Sequence, residues 1–361
     1  MSTSRAAVFV AKDQPLEIWE FPQGEPEEGA VVVHMEMAAI CGTDAHAIHH
    51  ADTPAPLIFG HENIGTIAAS RLGRNTDALG QPLREGDRVT FRASPCGHCY
   101  NCAIGEFCMN VRQPGFTPSN VPPYLYGGFG QQVHLPPDPW LLRIPDELSN
   151  ERALLSVVGT HTLLNGYERI GGLNLGDTVV IQGSGPMGIG GLLQAKLLGA
   201  GRVIVIGAPA GRLALADRLG ADETIDITEL TSADERVEAV MDLTGGRGAD
   251  VVVECSGAVG ATQEGLRMVR FGGKHLLVGP WTDYGTQEIN PTLITKKALR
   301  VSGVVASEPR HIVRSMEALR SMIDVPVEDL VTHQFPLAQV NEAFEVHESL
   351  EAMVAVILPN G

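Results

Sequence analysis

The chain has 361 residues, of which 44% are hydrophobic and 5% aromatic, and its 26 Lys and Arg against 43 Asp and Glu give a formal net charge of −17. This length exceeds the usual size of one hydrophobic core, so two domains are expected. The composition, with 41 Gly and 23 Pro, is typical of a globular α/β enzyme with many turns. The acidic balance repels phosphate backbones and argues against nucleic acid as a partner.

The start of the chain and its hydropathy bear on location. The first residues, MSTSRAAVFVAKDQ, have neither the long apolar core nor the cleavage site of a secretory signal. No segment approaches the ~18 consecutive apolar residues of a membrane span. We therefore expect a soluble, cytoplasmic protein with no membrane partner, in which clustered cysteines serve metal binding or catalysis instead of disulfides.

The first 150 residues are predicted to be rich in strands, and two motifs there carry metal-binding side chains. The runs 30–40 and 87–91 are apolar or β-branched and are separated by Gly and Pro turns. CGTDAH (41–46) contains Cys41, and GHENIG (60–65) contains His61; both are side chains that zinc selects. A single cysteine is more often a core residue and a single histidine more often a surface residue. The assignment of Cys41 and His61 as zinc ligands therefore depends on their occurrence together with the four-cysteine loop and the dinucleotide motif.

The segment PCGHCYNCAIGEFC (95–108) concentrates four cysteines in one loop. Cys96, Cys99, Cys102 and Cys108 have the pattern CxxCxxCx5C. Four thiolates can close a tetrahedron around zinc and leave no position open for chemistry, which predicts a structural site. An iron–sulfur cluster is the main competitor, but ferredoxin motifs continue with x3-C-P, whereas here five residues intervene and Met109 follows. Four free thiols without a metal are the third alternative.

After about residue 150, strand and helix patterns alternate. Strands are predicted at 178–185, 202–207, 251–257 and 274–280, with helical spacing after the first two. This alternation predicts βαβ units and a parallel sheet of the α/β class. The last sixty residues mix short helices with a strand at 352–358.

The motif Gly183-x-Gly185-x-x-Gly188, with Met187 inside it, follows a predicted strand and opens a helix. Glycines there let the backbone approach a pyrophosphate, and the helix N-terminus supplies N–H groups, so the motif predicts a dinucleotide site. The alternative is a glycine-rich turn without a ligand.

The end of the second strand bears on the choice of cofactor. An acidic residue that binds the adenosine ribose is expected there, but the position is Gly207. Arg212 can meet a 2′-phosphate or can be a solvated residue at a helix start. No basic cluster immediately follows Gly207 to neutralise a 2′-phosphate, so NAD is modestly favoured over NADP, and NADP is not excluded.

Taken in order, CGTDxH, GHExxG, GDRV (86–89), the cysteine loop and GSGPMG make the chain resemble the zinc-dependent medium-chain alcohol dehydrogenase family over almost its whole length. The resemblance implies a Rossmann doubly wound parallel sheet plus a mostly-β, GroES-like catalytic domain. That catalytic domain is expected at 1–150, with a structural zinc lobe at 92–112, and again at 301–361, around a Rossmann domain at 151–300. The resemblance further implies nicotinamide-dependent alcohol–carbonyl oxidoreduction in a homodimer or homotetramer.

The resemblance also implies roles for single residues. Cys41, His61 and Glu62 correspond to ligands or close neighbours of a catalytic zinc, Thr43 to the residue that contacts the alcohol, and His46 to the histidine that passes its proton outward. Three further residues resemble positions that line the nicotinamide: Thr162, Val278 and Gly279.

Two features depart from the family pattern. Five residues, and not seven, separate the third and fourth cysteines of the loop. The third catalytic ligand, usually Cys, Asp or Glu, is replaced by Val158, which cannot bind zinc. We expect Cys41, His61 and Glu62 to hold an exchangeable zinc completed by water or substrate, as in the family's polyol dehydrogenases; His161, close to Val158, is an alternative ligand.

The expected substrate is a secondary, bulky or alicyclic alcohol or its ketone. The loop QPGFTPSNVPPYLYGGF (113–129), with Leu57, Phe59 and Trp281, can form an apolar wall, although these residues can equally be interdomain or subunit contacts. Two other functions are possible: a zinc-free reductase of the same superfamily that keeps only the cysteine loop, and a non-catalytic nucleotide-binding protein or redox sensor.

Overall fold

A computed structural model describes residues 3–281 and 285–361. Contacts divide the chain into two compact units, one of residues 1–157 with 331–361 and the other of residues 158–330. In the described residues, none of the helices has the length and apolar character needed to cross a bilayer.

The helices and strands follow one another in three runs along the chain. The first run comprises β1 (Thr3–Val8), β2 (Glu17–Pro22), β3 (Val31–Ala39), α1 (Gly42–Ala47), β4 (Glu62–Ser70), β5 (Arg88–Arg92), α2 (Tyr100–Ala103), β6 (Gln132–Leu135), β7 (Trp140–Arg143) and α3 (Asn150–Leu154). The second run comprises α4 (Thr160–Arg169), β8 (Thr178–Gln182), α5 (Pro186–Leu197), β9 (Arg202–Gly207), α6 (Ala210–Arg218), β10 (Glu223–Asp226), α7 (Ala233–Leu243), β11 (Ala249–Glu254), α8 (Ala261–Met268), β12 (Val269–Leu277), α9 (Pro291–Lys296), β13 (Arg300–Gly303) and α10 (Pro309–Ser321). The third run comprises β14 (Val331–Pro336), α11 (Val340–Glu348) and β15 (Val354–Leu358).

The first unit is built on a mostly antiparallel sheet. Its strand order is β14-β15-β3-β4-β5-β7, with β6 beside β3, and β1 pairs with β2 in a separate hairpin. Strand β3 is almost wholly buried, as its apolar sequence VVVHMEMAA predicts, and it lies at the centre of the sheet. The mostly-β, GroES-like architecture predicted for this part of the chain is confirmed.

The second unit is built on a six-stranded sheet of order β10-β9-β8-β11-β12-β13 in which every pair of neighbours is parallel. All six residues of β11 and all five of β8 are buried, as is typical of parallel strands covered on both faces by helices. The predicted doubly wound parallel sheet is confirmed.

The compact units place the second domain boundary elsewhere than the sequence pattern does. Residues 301–330, expected in the catalytic domain, lie in the central unit. The reason is that β13 continues to Gly303 as the sixth strand of the parallel sheet and that α10 packs on α4. The strand–helix alternation therefore extends about thirty residues further than the sequence indicated.

Candidate active site and metal centres

The first group of possible metal ligands forms where two neighbouring strands meet. Ala39, at the end of β3, pairs with Glu62, at the start of β4. This pairing brings Cys41, just past β3, to His61 and Glu62, so that one ligand atom from each lies within 4.8 Å of the others. The sequence-predicted trio is thus a compact group with the thiolate, imidazole and carboxylate donors that zinc accepts.

The turn before His61 depends on glycine. Gly60 has a φ of +91°, and a Cβ there would lie 2.9 Å from Cδ1 of Phe129 and 3.0 Å from the backbone of Gly128. Neither the backbone conformation nor the space admits a side chain. Gly60 therefore fixes the direction in which the chain enters β4 and presents His61.

Asp44 is a site residue that the sequence reasoning missed. Its side chain is fully buried, and Oδ1 lies 3.2 Å from Nδ1 of His61. Oδ2 accepts a hydrogen bond of 3.0 Å from the backbone N–H of Cys41. A carboxylate behind a metal-binding histidine fixes the orientation of its ring and raises its basicity. The aspartate of the CGTD motif was the available signal.

The charges of the trio suit a bound cation. Burial raises the pKa of Cys41, and the nearby Glu62 raises it further. Burial also raises the pKa of Glu62, to about 7. For His61, burial acts to lower the pKa, but Asp44 and Cys41 together hold it well above its usual value. A divalent cation would relieve the repulsion between the sulfur and the carboxylate and displace their protons.

Thr43 and His46 lie on α1, immediately after Cys41. Oγ1 of Thr43 is 3.7 Å from Sγ of Cys41, so its hydroxyl lies beside the group of possible metal ligands, Cys41, His61 and Glu62. His46 lies in the last turn of α1, and burial, reinforced by the neighbouring His49, lowers its pKa. His46 is therefore neutral at pH 7 and can accept a proton, the property that a proton-passing histidine requires.

Phe116 supplies an apolar surface beside the metal group. Its ring centroid lies 4.8 Å from that of His61, and 44% of the residue is exposed. Phe116 belongs to the loop 113–129, which is fixed to the segment before His61 by two contacts. The N–H of Ser119 donates to the carbonyl of Pro56 at 2.7 Å. Gly115, with a φ of +84°, packs on the backbone of Gly60. The ring is thus held over the imidazole by main-chain contacts.

Leu57 and Phe59, predicted to line the apolar wall together with the loop 113–129, do not do so. Leu57 and Phe59 are only 2% and 1% exposed, and both belong to the hydrophobic core. Their prediction as lining residues is wrong, because Phe59 packs against Phe9 and Phe344 and Leu57 belongs to the same hydrophobic core. Trp281 lies in the other unit and is 62% exposed.

The second group of possible ligands is the cysteine loop. Sγ of Cys102 lies 3.5 Å from that of Cys99 and 3.9 Å from that of Cys96, and all four sulfurs lie within 4.8 Å of one another. Sulfurs of a tetrahedral zinc site are about 3.8 Å apart, given a Zn–S distance of about 2.3 Å. The loop therefore has the dimensions of a closed zinc site, and the shorter spacing before Cys108 does not remove that ligand.

The glycine motif forms the expected turn between β8 and α5. Gly183 has a φ of +112°, and a Cβ on Gly188 would lie 1.8 Å from the carbonyl oxygen of Gly183. Gly185 is the N-cap of α5, and Met187, partly buried in its first turn, borders Gly159. The bare backbone at this helix N-terminus fits a pyrophosphate, which supports a dinucleotide in this unit.

The end of β9 explains why an acidic residue is absent there. A Cβ on Gly207 would lie 2.4 Å from Oγ of Ser184, which itself donates to the carbonyl of Ala208 at 3.0 Å. Ser184 thus fills the space beside Gly207. Nη1 of Arg212 lies 3.7 Å from the Cβ position of Gly185, so a cation borders the glycine turn.

The remaining predicted cofactor residues also lie in the central unit. Val278 and Gly279 follow β12 at the carboxyl edge of the parallel sheet, where ligands bind in this architecture. Thr162 is a partly buried residue of α4. Val158 is a buried apolar residue just before that helix and offers no ligand atom.

Comparison with known proteins shows which family the chain belongs to. Residues 27–146 match the sequence model of the alcohol dehydrogenase GroES-like domain, and residues 186–321 match that of zinc-binding dehydrogenase. The 5-exo-hydroxycamphor dehydrogenase of Pseudomonas putida is 33% identical over 350 residues, 96% of either chain. The sorbitol dehydrogenase of Halalkalibacterium halodurans is 30% identical over 349 residues, 95% of either chain.

A solved structure extends the match to the fold. The crystal structure of an alcohol dehydrogenase from Thermotoga maritima is 30% identical and has a TM-score of 0.94, covering 100% of both chains. The chain therefore belongs to the zinc-dependent medium-chain alcohol dehydrogenase family, whose members are nicotinamide-dependent oxidoreductases acting on alcohols.

Proposed function

We propose that this dehydrogenase oxidises a secondary, bulky or alicyclic alcohol, or reduces its ketone, at a zinc ion held by Cys41, His61 and Glu62. The observation that carries the proposal is the ring of Phe116 over His61 at 4.8 Å, because it offers a hydrocarbon surface directly beside the metal group. The name of the P. putida relative, a hydroxycamphor dehydrogenase, supports an alicyclic substrate.

The residues of α1 carry the proton. Zinc held by Cys41, His61 and Glu62 would supply a Lewis acid that lowers the pKa of the substrate alcohol, and the nicotinamide would supply the hydride acceptor. Thr43, beside Cys41, accepts the proton of the alcohol, and the neutral His46 passes it toward solvent. Asp44 keeps His61 and Cys41 in orientation throughout.

The proposed cofactor is NAD in preference to NADP. The turn around Gly183 and Gly188 suits either cofactor. The family resemblance assigns Val278, Gly279 and Thr162 to the nicotinamide. No basic cluster immediately follows Gly207 to neutralise a 2′-phosphate, and this favours NAD. Because Gly207 also provides no carboxylate and Arg212 borders the turn, we propose a modest preference and not exclusion. Comparing kcat/KM for the two cofactors decides this, and a clear NADP advantage would contradict it.

The substrate proposal is tested by a panel of cyclohexanol, borneol, 2-propanol and sorbitol with both cofactors. We expect kcat/KM to be highest for the cyclic alcohols. Phe116→Ala should lower it for borneol by about tenfold, since about 1.4 kcal/mol is a typical value for part of a buried aromatic contact, and lower it less for 2-propanol. Tyr100→Ala, an exposed aromatic of the cysteine loop, is the matched control. Equal losses on all alcohols would refute the role of Phe116, and sorbitol as the preferred substrate would refute the substrate class.

Assembly and compartment are also proposed. Strand β13 ends the parallel sheet, and its outer edge can pair with a second copy, which supports a homodimer or a homotetramer. None of the six cysteines, all of which lie in the described residues, forms a disulfide, which supports a reducing, cytoplasmic location. Sedimentation of the purified protein tests the assembly.

A further inference from the structure

Glu254 is the last residue of β11 and is fully buried, although no step of the reaction uses it. It lies at the carboxyl edge of the parallel sheet. Its Oε1 accepts three hydrogen bonds, from the backbone N–H of Ser256 at 2.7 Å, the hydroxyl of Ser256 at 2.5 Å and the N–H of Gly257 at 2.9 Å. One carboxylate oxygen thus fixes the loop that leaves the strand.

The loop Ser256–Gly257 lies between two parts of the proposed cofactor site. On one side, a Cβ on Gly183 would be 3.0 Å from the backbone nitrogen of Ser256. On the other, a Cβ on Gly257, whose φ is +67°, would be 2.8 Å from the carbonyl oxygen of Gly279. Backbone therefore contacts backbone on both sides, and a shift of this loop moves the pyrophosphate turn and the nicotinamide segment together.

The second carboxylate oxygen of Glu254, Oε2, lies beside Gly279 in the nicotinamide segment. Oε2 of Glu254 would be 2.7 Å from a Cβ on Gly279, and within the described ranges 3–281 and 285–361 it has no hydrogen-bond partner. A buried carboxylate oxygen without a donor is costly to the fold. This cost indicates that Glu254 has a role other than the stability of β11.

We propose that Glu254 is a positioning residue for the nicotinamide cofactor. By fixing Ser256 and Gly257 between Gly183 and Gly279, it assembles the two parts of the binding surface before the cofactor arrives, so that less ordering remains to be done on binding. It acts through these loops and does not touch the reacting atoms. The proposal rests on the proposed cofactor site around Gly183 and Gly279.

The test is NADH binding, followed by fluorescence, together with thermal unfolding of the cofactor-free protein. We expect Glu254→Ala to weaken NADH binding about tenfold, the scale of lost hydrogen bonds to a charged group, and to raise the KM for NAD with kcat little changed. Glu254→Gln keeps a carbonyl oxygen for the loop and should restore affinity to within about threefold. Glu254→Asp, too short to reach the loop, should behave like the alanine variant.

Val253→Ala is the matched control, because Val253 is the buried neighbour of Glu254 on β11 and its truncation destabilises the core without touching the loop. It should lower the melting temperature and leave the NADH Kd unchanged. The proposal is overturned if the Glu254 variants and Val253→Ala bind NADH equally well, or if Glu254→Gln and Glu254→Asp are indistinguishable. A wild-type protein that binds neither NADH nor NADPH would instead refute the proposed cofactor site itself.

Discussion

Nδ1 of His61 lies 3.2 Å from Oδ1 of Asp44, and the other oxygen of the same carboxylate holds the backbone of Cys41 at 3.0 Å. One buried side chain thus orients two of the three proposed zinc ligands. Asp44→Asn can accept at only one of these two positions. We expect it to weaken zinc binding at this site by about 10- to 100-fold, as loss of such partners typically does.

Zinc release to a chelator measures the effect of Asp44→Asn. The matched control is Asp13→Asn, because Asp13 also faces a histidine, His49 at 2.6 Å, but is exposed and remote from the ligands in its contacts. Release rates that are the same in both variants would show that Asp44 does not support the metal.

Glu62 is expected to decide whether a second zinc is bound. With Val158 in place of the usual third ligand, Cys41 and His61 alone give too few protein donors for a stable site. Glu62→Ala should therefore lose both activity and one of two zinc ions per chain, as measured by elemental analysis. A fully active wild-type protein with one zinc per chain, all of it in the cysteine loop, would defeat the proposal.

The cysteine loop is expected to serve folding and not catalysis. Because four thiolates leave no position for substrate, Cys99→Ser should lower soluble yield and melting temperature more than it changes the KM for the alcohol. Melting curves and steady-state kinetics on the same preparation make the comparison. A metal-depleted variant of normal stability would contradict a structural zinc.

His275 gives the stability of the central unit a dependence on pH. It is fully buried in β12, both ring nitrogens lack hydrogen-bond partners within the described part of the chain, and burial lowers its pKa from 6.5 to about 4. The unfolded chain binds this proton near pH 6.5 and the folded protein only near pH 4. The contribution of His275 to the free energy of unfolding is therefore fully present above pH 6.5 and falls by up to about 3 kcal/mol as the pH drops toward 4.

Urea unfolding between pH 7 and pH 4.5 measures this loss. His275→Leu removes the titrating group and should flatten the dependence, whereas His50→Leu, at an exposed position, should leave it as in the wild type. An unchanged slope in His275→Leu would assign the pH dependence to other groups.

Two helical glycines are expected to respond to alanine in opposite directions. A Cβ on Gly265, in α8, would lie 2.5 Å from Nε2 of His275 and 2.7 Å from Oε1 of Gln182, whereas one on Gly211, in α6, meets nothing within 4 Å. Gly265→Ala should destabilise by about 1–3 kcal/mol through overpacking. Gly211→Ala should stabilise by about 0.5–1 kcal/mol through helix propensity. Chemical unfolding of the cofactor-free variants measures both, and changes of the same sign would refute the packing assignment.

The parts of the site that the sequence predicted are those encoded by contiguous motifs. The four cysteines lie in one short loop, and the glycine turn joins a strand directly to a helix, so local spacing alone defines their geometry. The Cys41, His61 and Glu62 group needed the family resemblance, because a strand pairing between β3 and β4 brings it together and the sequence does not state that pairing.

The residues that the sequence missed depend on long-range packing. Leu57 and Phe59 look like a hydrophobic wall beside GHENIG, but which face of an extended segment meets the core is decided by Phe9 and Phe344. Asp44 also contacts His61, 17 residues further along the chain, and the loop that Glu254 holds packs against Gly183 and Gly279. Neither of these contacts can be predicted from local spacing. The boundary at 330 was missed because α10 packs on α4, far away in sequence.

The discontinuous first unit has a consequence for synthesis on the ribosome. Strand β15 follows β14 in the chain, lies between β14 and β3, and pairs with Ala38 and Ala39, next to Cys41. Residues 158–330 are contiguous and can close their own core as soon as they emerge, whereas the N-terminal segment must wait for residues 331–361. A nascent chain stalled before residue 331 therefore leaves Ala38 and Ala39 of β3 without their strand partner, whereas β6 already covers residues 31–34 on the same edge. The unpaired stretch beside Cys41 is open to edge-to-edge pairing during that interval.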